Sequence, residues 1–117
     1  MHYLCQFWFE TGGKELSKEE GEKLTEECRS YDEGLTKSGH LLLAQALRPP
    51  ATAKTVRMSD GKISVTDGPF AEIKEHLGGI ILIEAENMDE ALRIASRSPL
   101  ARIAAIEVRP AYSINEP

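Results

Sequence analysis

The chain is expected to fold as an α+β sandwich: a mostly antiparallel sheet with two helices on one of its faces. Three observations predict this. Apolar residues recur at strand period, or fill short runs, at 3–9, 40–47, 80–83 and 103–109. Two segments opened by capping signals, at Ser17 and Asn87, carry apolar residues at helical spacing. Asp60-Gly61 sits between two runs of alternating apolar residues, the strongest short-range signal for a hairpin.

Tyr3 to Phe9 reads as the first strand. Tyr3, Cys5, Phe7 and Phe9 face one way and Leu4, Gln6 and Trp8 the other, so both faces are largely apolar. Thr11-Gly12-Gly13 ends it. Ser17 and Glu20 have capping-box spacing, and the helix they open runs to Lys37, with Leu24, Cys28, Tyr31 and Leu35 as its buried stripe. Gly39 follows as the residue that stops it. His40 to Leu47 is a second strand, broken by Arg48-Pro49-Pro50. Lys54–Ser59 and Lys62–Thr66 pair about Asp60-Gly61, with Val56 and Met58 opposite Ile63 and Val65.

The densest cluster of turn residues comes next, at Asp67-Gly68-Pro69. Pro69 fixes its own φ, Gly68 reverses the chain cheaply, and Asp67 is placed to bond a backbone N–H two residues on. Pro69 also suits the first position of a helix, so a two-turn helix is expected through Leu77, stopped by Gly78 or Gly79. Ile80–Ile83 is a strand. A helix led by Asn87, with Met88, Ala91, Leu92 and Ala95 inward, ends at Ser98-Pro99. Ile103–Arg109 is the last strand. Residues 1–110 thus make one domain and 111–117 a tail. Strand, helix, strand, hairpin, strand, helix, strand is the order of a ferredoxin-like sandwich. Two helices cover only one face, yet three strands offer apolar groups to both. A second copy, packed sheet against sheet about a two-fold axis, is expected to cover the other.

Composition narrows the function classes. With 117 residues, 41% hydrophobic and 28% charged, the chain is that of an ordinary globular domain. Its net charge is −5, and residues 10–37 supply most of it, with nine acidic and five basic side chains. Acidity is therefore local, no basic stripe exists, and nucleic-acid binding is not expected. Cys5 and Cys28, both at apolar positions, read as reduced core thiols. They have no metal-ligand spacing, and neither a metal nor a cofactor is expected. No apolar run is long enough to span a membrane and no signal peptide is read, so a cytoplasmic protein is expected.

Candidate chemistry gathers around the turn. Asp67 presents a carboxylate at a strand end, close to Glu72 and Lys74, which would bind a polar ligand in a cleft or form a surface pair. His40 opens the second strand, either facing a cavity between sheet and helices or capping the carbonyls at the helix end. Arg57, Gln45, Arg48 and Arg109 sit on strands or strand ends, placed to bind an anion or simply exposed. Tyr31 and Trp8 line a pocket or belong to the core. His2 is terminal, and His76 is on the polar side of its predicted helix.

Leu47-x-Pro49-Pro50-Ala51-x-Ala53-x-Thr55-Val56-Arg57, Asp60-Gly61-Lys62, Val65-Thr66-Asp67-Gly68-Pro69-Phe70-Ala71-Glu72-x-Lys74-Glu75-x-Leu77-Gly78-Gly79, Asp89-Glu90-Ala91 and Glu107-Val108-Arg109-Pro110 together resemble the DGPF branch of the YCII-related family. The resemblance spans nearly the whole chain. It implies a dimeric α/β barrel built from ferredoxin-like subunits. It also implies a small-molecule ligand, with lyase or isomerase chemistry on small ring compounds, or, as an alternative, a regulatory module associated with an extracytoplasmic-function sigma factor. Asp67 matches the acidic member of the wider family's His–Asp pair. The histidine of that pair belongs on the first helix, which has none; Tyr31 lies near its place. Asp67 and His40 are thus the catalytic candidates, and Glu72, Lys74, Arg57, Gln45 and Tyr31 the ligand-binding ones.

Overall fold

The computed structural model describes residues 1–13, 15–70 and 74–115. Its elements are β1 (His2–Glu10), α1 (Lys18–Lys37), β2 (Leu41–Ala46), β3 (Lys54–Ser59), β4 (Lys62–Asp67), β5 (Glu75–Glu84), α2 (Met88–Ser96) and β6 (Ala105–Ala111). Four strands form the main sheet in the order β2-β5-β1-β6, and every neighbouring pair is antiparallel. The remaining strands, β3 and β4, form a separate two-stranded ribbon. The α+β ferredoxin-like architecture is therefore present, with the hairpin standing outside the sheet.

Local chemistry explains the element ends. The Ser17 hydroxyl accepts from the Glu20 N–H and the Glu20 carboxylate accepts from the Ser17 N–H, closing a full capping box at α1. At the other end, Gly39 takes φ +80°, the Gly39 N–H donates to Thr36 O, and the His40 N–H donates to Leu35 O, a Schellman closure. At α2, Asn87 accepts from the Glu90 N–H, but the Glu90 carboxylate reaches one residue further back, to the Glu86 N–H. Asp60 and Gly61 both have positive φ, as a tight hairpin turn of the primed type requires.

The helix expected after Pro69 is not formed over the described part of its range. Residues 71–73 lie outside the described residues, and Glu75–Leu77 are extended, pairing with Glu10, Phe9 and Trp8 of β1. A nine-residue β1 needs a partner along its whole length, and that demand outweighs a weak local helix signal. Gly78 and Gly79 consequently serve the sheet and stop no helix. A Cβ on Gly78 would come within 2.5 Å of the Phe9 ring, and one on Gly79 within 3.0 Å of Gln45 O. The β1–β5 register shifts here, between Phe7 and Trp8. The last strand also starts later than expected, because Pro99–Arg102 form a turn of 3₁₀ helix, and it runs on through Pro110, which an edge strand tolerates.

The core lies between the helices and one face of the sheet. Tyr3, Cys5 and Phe7 of β1 and Ile81 and Ile83 of β5 meet Ala91, Ile94 and Ala95 of α2. The other face carries Leu4, Gln6, Trp8, Ile80 and Leu82, all half-buried. On β6 the alternation is cleaner than expected: Ile106 and Val108 pack on the core, while Glu107 and Arg109 pair with each other on the other side. The apolar part of that second face is thus confined to the central strands and β2.

Candidate functional site

The two helices are not seated equally. The short helix α2 has Ala91, Ile94 and Ala95 buried; α1, twice as long, has no buried residue. Its stripe of Leu24, Cys28, Tyr31 and Leu35 is only half-buried. Small residues face it from the sheet, namely Ala44 and Ala46 on β2 and Gly78 and Gly79 on β5. The sheet therefore cannot fill the space under the middle of α1, and a cavity of about 370 Å3 remains. Phe7, Phe9 and Ile81 form its floor, Leu24, Thr25, Cys28, Tyr31 and Asp32 its roof, and Ser98 and Leu100 its end wall. A second, larger hollow runs along α1, but residues of that one helix alone line it, so it encloses nothing.

Most polar groups in the cavity sit on the α1 side. The Tyr31 hydroxyl donates to Ile94 O at 2.6 Å and so ties α1 to α2. Burial, reinforced by Cys5 and Asp32, raises the phenol well above its usual range, so it stays neutral. Burial also pushes the Asp32 carboxyl up. The Cys28 thiol is raised by burial first and then by the Asp32 and Glu27 carboxylates. Ser98 is buried, and its hydroxyl accepts from the Leu100 N–H at 3.2 Å. The arrangement is an apolar slot, aromatic on its floor, with a phenol, a carboxyl of raised pKa and a thiol along one edge. Aromatic walls suit a flat ring, and a carboxyl shifted toward neutrality suits proton transfer.

The residues expected to act are divided by the fold. Tyr31 and Gln45 line the cavity, with the Gln45 amide also donating to Ala46 O. Asp67 does not line it. Its side chain is 87% exposed and accepts from Lys54 Nζ at 2.6 Å, so the expected pocket beside Asp67 is replaced by an ion pair at the root of the hairpin. The turn is instead held by the Gly68 N–H, which donates to Ala53 O, and by the Thr55 hydroxyl, which donates to Gly68 O. Arg57 stacks its guanidinium over the Phe70 ring at 4.5 Å, away from the cavity. Glu72 lies outside the described residues. Lys74 is exposed next to the start of β5.

His40 does not line the cavity: its backbone N–H caps Leu35 O at the end of α1, one of the two places foreseen for it, while its ring Nδ1–H donates to Glu84 O at 2.8 Å and Glu90 stands 4.0 Å away. His76, in a strand and not a helix, stacks on Phe9. Asp32 had no part in the sequence reading, Ser98 entered it only as a helix end, and Cys28 only as a core thiol. One signal pointed to two of them: Thr25, Cys28 and Asp32 follow one another at helical spacing along the edge of the apolar stripe.

A ferredoxin-like domain with a slot between its first helix and its sheet is the class that these features define. The chain belongs to the YCII-related domain family, whose pattern it matches over residues 1–115. It is 40% identical over 79 residues to the uncharacterised protein R00369 of Rhizobium meliloti (strain 1021). That match covers 68% of this chain and spans 64% of the relative's length. Among solved structures it is similar to 5-chloro-2-hydroxyhydroquinone dehydrochlorinase (TftG) from Burkholderia phenoliruptrix AC1100, in complex with 2,5-dihydroxybenzoquinone. The TM-score is 0.56 at 16% identity, over 96% of this chain and 94% of that one. Identity that low speaks for the fold alone. Among the described residues no helix is long and apolar enough to cross a membrane.

Proposed function

We propose that the chain binds a small oxygen-bearing ring compound in the slot beneath α1 and acts on it as a lyase or isomerase. The observation that carries this reading is the company that Asp32 and Tyr31 keep: a carboxyl of raised pKa and a neutral phenol at the edge of an aromatic-floored cavity of about 370 Å3. Asp32 is the proton-transferring group. Tyr31, its own proton held by Ile94 O, offers its oxygen lone pairs to a ligand hydroxyl and so orients the ring. Phe7 and Phe9 take the ring face. The shared fold with a dehydrochlorinase bound to a dihydroxybenzoquinone supports this class of ligand. Asp67 and His40, placed elsewhere, are read as structural groups of the hairpin root and the sheet end.

Titration with 2,5-dihydroxybenzoquinone, followed by calorimetry, tests the proposal. Wild type binds. Ala46→Trp, which fills the slot from β2, abolishes binding, and Asp32→Asn weakens it by about tenfold. Equal affinity in all three would sink the reading. The alternative, a regulatory module working with a sigma factor, is favoured by no feature of the described residues.

The half-buried outer face supports a homodimer formed sheet against sheet. Gln6 Oε1 and Trp8 Nε1 on that face are shielded from solvent and make no hydrogen bond among the described residues. Unpaired groups of this kind cost about 1–3 kcal/mol each, and a partner surface would relieve them.

A further inference from the structure

The β3–β4 hairpin is the element that the proposed chemistry leaves unused. Period-two alternation gives it two unlike faces. Val56 stands opposite Val65 and Met58 opposite Ile63 on one; Arg57 and Ser64, and the two threonines Thr55 and Thr66, occupy the other. The four apolar side chains are 58% to 70% exposed. A lone two-stranded ribbon is at best marginally stable in water, and no strand of the main sheet pairs with this one. Yet its root is tied by the Gly68 N–H on Ala53 O and by the Thr55 hydroxyl on Gly68 O, with the exposed Lys54–Asp67 pair beside them. It is an arm with a fixed base and a greasy face.

The size of the surface points to the occupant. The radius of gyration is 16.4 Å, whereas a compact chain of this length has about 13 Å. Accessible surface is 8910 Å2, against about 6,300 Å2 for a compact monomer of the same mass. The excess, roughly 2,600 Å2, is well beyond the roughly 800 Å2 that each partner gives to a standard interface. An excess carried by every copy is removed most directly by another copy. Charge agrees: the arm has Lys54, Arg57 and Lys62 against Asp60 and Asp67, so the rest of the chain is more acidic than the −5 of the whole.

We propose that the β3–β4 hairpin is a clasp that lays Val56, Met58, Ile63 and Val65 on a second copy of this chain. The clasp adds a contact to the homodimer proposed above and rests on that dimer, whichever way the sheets are placed in it. Met58→Lys combined with Ile63→Glu makes the apolar face charged while giving the hairpin an opposite-charge cross-strand pair, which keeps it folded. Sedimentation equilibrium of the full chain is expected to show a wild-type dimer at micromolar concentration. The double variant, with an unchanged circular dichroism spectrum, dissociates at least about tenfold more readily. Amide exchange in residues 54–67 also becomes faster in the variant. Leu82→Asp, on the outer sheet face, separates the two claims. A wild-type dimer weakened by Leu82→Asp and untouched by the arm variant overturns the clasp and keeps the sheet pairing. A wild-type monomer overturns both. A dimer weakened by the arm variant but not by Leu82→Asp upholds the clasp and overturns the sheet pairing.

Discussion

Two carboxylates tell opposite stories. Asp67 sits in the most conspicuous stretch of the sequence, among glycine, proline and other charges, and the fold leaves it in water beside Lys54. Asp32 sits unremarked in an acidic helix, and the fold turns it toward a cavity where burial raises its pKa. A charge beside a turn is visible in sequence because turns have a local chemistry. A desolvated charge has none, because its environment is made by residues distant in the chain. The difference separates a carboxylate paired in solvent at the hairpin root from one half-buried at the edge of the α1 slot, and the proposed chemistry rests on the second.

The largest effect expected is at Gly78. Gly78→Ala drives a Cβ into the Phe9 ring, costs about 1–3 kcal/mol in urea unfolding, and shifts one wall of the slot. At the hairpin root, Gly68→Ala strains a residue at φ +91°, with nothing within 4 Å of the new Cβ. It costs about 1 kcal/mol and leaves ligand binding intact. Ligand binding lost in the second variant and kept in the first would reverse the assignment of the two regions.

Next comes the tie between the helices. Tyr31→Phe removes the hydrogen bond to Ile94 O and is expected to lower stability by about 1 kcal/mol. Asp67→Asn breaks an exposed pair and costs at most about 0.5 kcal/mol. Parallel denaturation curves decide this, and a larger loss at Asp67 would contradict it.

The pH dependence gives a smaller, signed contrast. Asp32 has a folded pKa above its unfolded value, so the folded chain holds that proton more tightly. Its effect favours folding at acid pH and is lost as pH rises through the window from the unfolded to the folded pKa. Glu20, lowered by its bonds with Ser17, behaves the other way: its contribution is present above the unfolded carboxylate range and is lost as pH falls through the folded pKa. Asp32→Asn should therefore flatten the first slope, and Glu20→Gln the second, in stability measured against pH.

Thiol labelling is the mildest probe. Cys5 is fully buried and burial pushes it up to about 11, so it reacts only when the chain unfolds. Half-buried Cys28 in the slot wall reacts in the folded chain, slowly, and a bound ligand shields it. Cys5 labelling first would contradict the placement of the cavity.

Much of this fold was legible because its devices are local. Ser17 with Glu20, Gly39 and Asp60-Gly61 do what their chemistry foretells. The alternation of β1 correctly put Tyr3, Cys5, Phe7 and Phe9 on one face, and the fold makes that face the one on the core. What misled was Pro69 followed by helix-tolerant residues: a helix start was read where β1 required a partner as far as Glu75. The candidate site was half legible. Tyr31 and Gln45 were named, but His40 was spent on Glu84 O and Asp67 on Lys54. Asp32 escaped because a helix seated badly on its sheet looks, in sequence, like any amphipathic helix.

The central claim is that the slot beneath α1 is where ligand binds. The most direct measurement is amide chemical-shift mapping of the full chain titrated with a small hydroxylated ring compound. Shifts are predicted to cluster at Cys28, Tyr31, Asp32, Ala44 and Ser98 and to leave Lys54, Arg57 and Asp67 unmoved. Shifts gathered at the hairpin root, with the α1 residues silent, would contradict the account.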